Sequence, residues 1–167
     1  VAKLTSLTNY LKWRNGSPLS SVKVPYMDKN IIDMFWKRRS EEGKGRWTHS
    51  VDLDGAHAKS EAQSPRWDYG LGLRRQRAAE CAVWVEPHPA NSTGEVEKML
   101  AKLRWLQAKL KQPAYAKLAA LTQDASQQNL PVYVWLCSGG CTIRPGTREA
   151  HLLAKAGLHG PRRQLKL

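Results

Sequence analysis

Val132-Tyr133-Val134-Trp135-Leu136 carries no charge over five consecutive positions, within an apolar stretch that runs only from Pro131 to Cys137. That length and composition suit a central strand covered on both faces. Such a strand demands a sheet with layers packed against it. Upstream, three strand signals follow one another with no helix between them. Trp47 to Ala58 alternates His49, Val51 and Leu53 with Ser50, Asp52 and Asp54; Arg66 to Leu73 alternates again, and Ala79 to Val85 is a compact apolar run. Consecutive strands of this kind predict an antiparallel meander.

Helical spacing brackets the meander. Before it, Ile31, Ile32, Met34, Phe35 and Trp36 predict a short amphipathic helix. After it, Ser92-Thr93-Gly94-Glu95 has the form of a capping box, in which a hydroxyl and a glutamate exchange hydrogen bonds with orphan amides. Val96, Met99, Leu100, Leu103, Leu106 and Leu110 then recur at helical spacing, so this helix should bury one stripe. Its opposite face is expected to carry Lys98, Lys102, Trp105 and Lys109.

Pro113 can start a further helix to about Ala125, broken by Asn129-Leu130-Pro131. Thr147 to Ala156 reads as a last helix with Leu152 and Leu153 inward, and Gln164 to Leu167 as an edge strand. The expected fold is α/β, a mixed central sheet flanked by helices. Residues 1–25 contain four cations and no acid, which predicts a basic N-terminal arm ahead of one α/β domain over 26–167.

The 27 Lys and Arg against 14 Asp and Glu give a formal charge of +13. That excess points to a polyanion, and nucleic acid is the first candidate because cationic side chains displace its counterions. The apolar stretches are far too short to span a membrane, and none reads as a signal peptide. Three cysteines, Cys81, Cys137 and Cys141, are too few and too unevenly placed for a secreted disulfide framework, so an intracellular setting is expected. Walker-type phosphate loops are absent, and Ser138-Gly139-Gly140 lacks nucleophile-elbow spacing.

Two carboxylates carry the chemical argument: Asp68 in RWDYGLGL and Glu86 in VWVEPHP. On neighbouring antiparallel strands they can converge and hold a hard divalent cation, Mg²⁺ or Mn²⁺, which neutralises a scissile phosphate and activates water. His88, two residues past Glu86, can orient that water or act as a base near neutral pH. Asp52, Asp54 and Glu61 form an alternative acidic group with no evident basic partner. Lys98, Lys102, Trp105 and Lys109 combine cations with an aromatic, a mixture that tracks phosphates and stacks bases.

The order of helix, three-strand meander, helix and strand, with an acid on the second strand and acid-x-base at the end of the third, is similar to the core of the PD-(D/E)xK nuclease superfamily. The resemblance to this restriction-endonuclease-like fold runs from about Ile31 to Leu136 and rests on Asp68 and on Glu86-Pro87-His88. It implies magnesium-dependent cleavage of DNA or RNA, with Asp68 and Glu86 as metal ligands. His88 stands where that family has lysine, and Arg66 and Trp67 separate Pro65 from Asp68. The resemblance also admits a lysine from the following helix, Lys98 being the nearest, and a further carboxylate from Glu41 or Glu42. Two other functions remain open: a non-catalytic nucleic-acid-binding module of the same fold, and an interaction or assembly factor that docks through exposed tryptophans.

Overall fold

A computed structural model describes residues 45–163 together with Leu165. The expected basic arm, the helix near Ile31 and the carboxylates of Glu41 and Glu42 lie outside the described residues. β1 (Gly45–Asp52), β2 (Tyr69–Arg75) and β3 (Glu80–Ala90) form the expected antiparallel meander. The first signal is shorter than its alternation suggested. Asp52 Oδ1 accepts the Gly55 N–H at 2.7 Å, so the chain leaves the sheet into a short helix, α1 (Leu53–His57). That is the action of an N-cap aspartate.

From β3 the chain passes through α2 (Gly94–Leu110), a 3-10 turn (Pro113–Tyr115) and α3 (Ala116–Gln127) to β4 (Tyr133–Cys141), which pairs parallel to β3. Then α4 (Arg148–Lys155) leads to β5 (Leu158–Arg162), parallel to β4. The result is a mixed five-stranded sheet in the order β1-β2-β3-β4-β5, flanked by helices. The edge strand therefore begins directly after Gly157; of the 164–167 segment, only Leu165 is described, and it is not in a strand. Among the described residues no helix is long and apolar enough to cross a membrane.

Two cores explain the pattern of apolar residues. On one face Trp84 and Trp135 pack with Met99, Leu103 and Leu106 of α2, Leu118 of α3 and Leu153 of α4. On the other, Leu71, Leu73, Val83, Val85, Val134 and Leu136 cluster with Ala125 and Leu130. The buried stripe of α2 matches its sequence spacing, but the capping box does not form: Thr93 makes no side-chain cap bond. A cap contributes about 1 kcal/mol and each fully buried leucine about 1.5–3 kcal/mol. Burial thus holds α2 in place without the cap. In α4, Leu153 is buried while Leu152 is 43% exposed, because adjacent helical positions lie about 100° apart.

Two prolines are accommodated in β3 for a specific reason. The Trp84 N–H points to Val132 O on the β4 side at 2.7 Å, so alternate residues 83, 85, 87 and 89 direct their nitrogens toward β2. Pairing with β2 stops at Val85. Pro87 and Pro89 therefore fall where no ladder bond is lost, and the strand carries Glu86 and His88 beyond its β2 neighbour.

Candidate functional site

Glu86 sits at the place where β3 outruns β2, and its side chain is fully buried. Its position on the same face as Trp84 turns it toward α2. Asp68 is not on β2 but one residue before it, held because its carbonyl accepts from Leu53 N at 2.8 Å and its own N–H donates to Glu86 Oε2 at 2.8 Å. From α2, Lys102 Nζ donates to Asp68 Oδ1 at 3.1 Å and to Glu86 Oε1. The structure thus joins Asp68, Glu86 and Lys102 into one ionic centre.

Burial, and then the nearby charge of Asp68, push the Glu86 carboxyl up to about 8, although Lys102 pulls the other way. Removing the Lys102 ammonium from water favours its neutral form, but Glu86 and Asp68 together outweigh this and raise its pKa. A buried carboxylate beside a second one needs positive charge at short range. Lys102 supplies part of it.

His88 lies two residues on, on the same face of β3, and its Nε2 is 2.6 Å from Glu95 Oε2. Glu95 also accepts from Lys98 Nζ at 2.9 Å, and these two partners, Lys98 first, hold its carboxyl below the usual range. An ionised carboxylate only accepts. The His88 proton therefore resides on Nε2 in the neutral ring, leaving Nδ1 with its lone pair. Trp135 Nε1 anchors the same segment by donating to His88 O at 2.8 Å.

The lysine–tryptophan row on α2 is placed differently from its sequence reading. Lys98, Lys102, Trp105 and Lys109 each precede an apolar position of the buried stripe by one residue, so they lie about 100° from it rather than opposite. Trp105 Nε1 donates to Glu61 Oε2 at 2.8 Å, and Lys109 Nζ bonds Glu61 Oε1. His57 Nδ1 is 3.2 Å from the same Glu61 oxygen, and His57 Nε2 contacts the Tyr115 hydroxyl. Only the Lys98 side chain is well exposed, at 66%, against 21% for Lys102 and 13% for Lys109. Three of the four residues are thus engaged with carboxylates of the β1–β2 connection.

Asp52, Asp54 and Glu61 do not converge. Asp52 caps α1, Asp54 pairs with Arg66 at 2.8 Å, and Glu61 joins α2. Glu61 was not evident as a partner of α2 in the sequence, nor Glu95 as a partner of His88; Glu95, Lys98, Lys102, Trp105 and Lys109 recur at spacings of three and four along one side of the helix, and Glu61 meets the last two. Lys102 rather than Lys98 meets the two acids.

Among the described residues no three of His, Cys, Asp and Glu gather as a metal-binding group. Asp68 and Glu86 are a two-carboxylate oxygen set, and Mg²⁺ takes one or two carboxylates while keeping water or phosphate oxygens for the rest. Their donor type suits that ion, while the position between the two oxygens is taken by the Lys102 ammonium. Cys81, Cys137 and Cys141 are free thiols, and Cys137 Sγ donates to Gly140 O at 2.9 Å. The chain matches no protein-family model, no curated protein and no solved structure.

Proposed function

We propose that this chain is a nucleic-acid-binding protein with a restriction-endonuclease-like core that hydrolyses phosphodiester bonds with Mg²⁺ or Mn²⁺. The observation that carries this reading is the meeting of Lys102 with both Asp68 and Glu86. An antiparallel meander, a helix, and a fourth strand parallel to the third support it at the level of architecture. Lys102 then takes the part of the lysine that the resembling family carries at the position of His88.

Asp68 and Glu86 would hold the divalent ion, which when bound supplies charge neutralisation of the phosphate and acidification of water. Lys102 offers an ammonium beside the same oxygens, placed to stabilise negative charge developing on the phosphate. His88, its tautomer set by Glu95, presents Nδ1 as an acceptor for a water proton.

A second reading is favoured by one specific feature. Lys102 already bonds both carboxylates, so the centre is partly compensated without a divalent ion, as a non-catalytic binding module of the same architecture requires. Cleavage of labelled single-stranded DNA, duplex DNA and RNA with Mg²⁺ or Mn²⁺ separates the two. The nuclease reading expects Asp68→Asn, Glu86→Gln and Lys102→Met each to lower cleavage by about 100-fold or more. Absence of cleavage by the unaltered chain on all three substrates ends it, and salt-sensitive binding that persists then supports the module.

A further inference from the structure

The strands β3, β4 and β5 are parallel, so their carboxyl ends share one end of the sheet. Asp68 is at that end too, because Tyr69, the first residue of β2, pairs with Val85. Ligands of open α/β sheets bind outside these carboxyl ends. Beside β5, an open cleft of about 720 Å³ is lined by Arg144, Arg162 and Arg163 together with Ile143, Pro145 and Pro161.

The register ties this cleft to the carboxylate centre. Pro87 pairs with Leu136, and Leu136 with Arg162. Two strand spacings, about 10 Å, separate Arg162 from Pro87, the residue after Glu86.

Several cations around the meander and α2 have carboxylate partners: Arg66 with Asp54, Arg74 with Glu80, Lys98 with Glu95, Lys109 with Glu61. Among the described residues Arg144, Arg162 and Arg163 have none. Glu149 is the sole acid between 142 and 163, and it does not line the cleft. Burial first and the Arg162 charge second lower the His159 pKa from its ordinary value.

We propose that the cleft holds the phosphodiester backbone of a nucleic-acid strand running to the Asp68–Glu86–Lys102 centre. Arg144, Arg162 and Arg163 receive its non-bridging phosphate oxygens, while Ile143, Pro145 and Pro161 face sugar or base. Guanidinium groups suit this task through their forked donors. The cleft is far larger than one phosphate group, and its walls between the arginines are apolar, as a chain of linked nucleotides requires. The course of the strand rests on the nuclease reading; the phosphodiester chemistry of the cleft does not.

The test is fluorescence anisotropy of the full chain in EDTA with a short dye-labelled DNA strand, its duplex, and RNA of the same sequence. Arg144→Gln, Arg162→Gln, Arg163→Gln and the triple variant are compared with Lys111→Gln, which removes an exposed charge elsewhere, and thermal melts verify that each is folded. Each arginine substitution is expected to weaken binding and to reduce the salt dependence of log Kd by about one ion. Arg144→Lys should retain that salt dependence, and Lys111→Gln should bind like the unaltered chain. Wild-type-like binding by the triple variant, an equal loss in Lys111→Gln, or displacement of the strand by millimolar inorganic phosphate overturns the proposal. Metal-dependent cleavage that survives alongside arginine-independent binding removes the cleft alone. Arginine-dependent binding without any cleavage removes the nuclease reading and leaves the cleft standing.

Discussion

The backbone N–H of Asp68 donates to Glu86 Oε2 at 2.8 Å, so the second acid of the centre holds the first in place through the main chain. The other oxygen of Glu86 takes Lys102. Glu86→Ala therefore leaves the Asp68 amide without its acceptor and Lys102 with one carboxylate instead of two. A loss of about 1–3 kcal/mol is expected, the cost of an unsatisfied buried donor, measured by urea unfolding at neutral pH. Glu86→Gln keeps an acceptor for the Asp68 amide and should lose less.

Lys102→Met removes the ammonium and leaves the Asp68 backbone N–H as the group opposing burial and the Asp68 charge at Glu86. The Glu86 carboxyl, already up at about 8, should titrate higher still, as read from its side-chain carbon resonance. Destabilisation should be greater above pH 8 than at pH 6, where Glu86 escapes the penalty by binding a proton.

Stability should respond to pH with opposite signs at two glutamates. The folded chain holds the Glu86 proton more tightly than the unfolded chain, whose carboxyl titrates near the ordinary 4.5. That contribution is complete below about 4.5 and is lost as pH rises through about 8. Glu61 runs the other way: chiefly the Lys109 hydrogen bond, aided by Trp105, lowers its pKa. Its contribution is present above the ordinary 4.5 and fades as pH falls through its lowered value. Glu86→Gln should flatten the alkaline side of a Tm–pH curve, and Glu61→Gln the acid side.

Glu61 also fastens the β1–β2 connection to α2. Glu61→Ala leaves Trp105 Nε1 and Lys109 without their carboxylate and should cost about 1–3 kcal/mol. Trp105→Phe removes one neutral donor and should cost about 1 kcal/mol. Thermal denaturation gives the ranking, which is reversed if the connection is held by packing alone.

Gly70 lies where β2 passes under Trp84. A Cβ there would stand 2.6 Å from Trp84 Cζ3 and 2.8 Å from Val51 Cγ1. Gly70→Ala should cost about 1–3 kcal/mol through overpacking. Val51→Ala in the same chain should recover part of the loss, a coupling that a double-mutant cycle in urea resolves.

The meander, the stripe of α2 and the buried course of β4 were legible because each is written in local periodicity. Alternation in Tyr69, Leu71 and Leu73 marks one face of β2, and the spacing from Val96 to Leu110 marks the inward side of α2. Where competing local interactions decide, the reading slipped. Asp52 ends β1 by capping α1, and Glu95 binds His88 and Lys98 instead of serving a capping box.

Asp68, one residue before β2, and Glu86, on β3, could be singled out together because a meander brings its strands side by side whatever the details of the crossing. Which cation meets them could not. Lys98, Lys102 and Lys109 share one side of α2, and sequence spacing treats them alike. The angle and height at which α2 crosses β3 depend on the packing of Met99, Leu103 and Leu106 against Trp84 and Trp135. That packing sets Lys102 over the carboxylates, Lys98 beside Glu95 and Lys109 beside Glu61. Periodicity determines which side of a helix turns inward; only tertiary contact determines where along that side a partner from another element arrives.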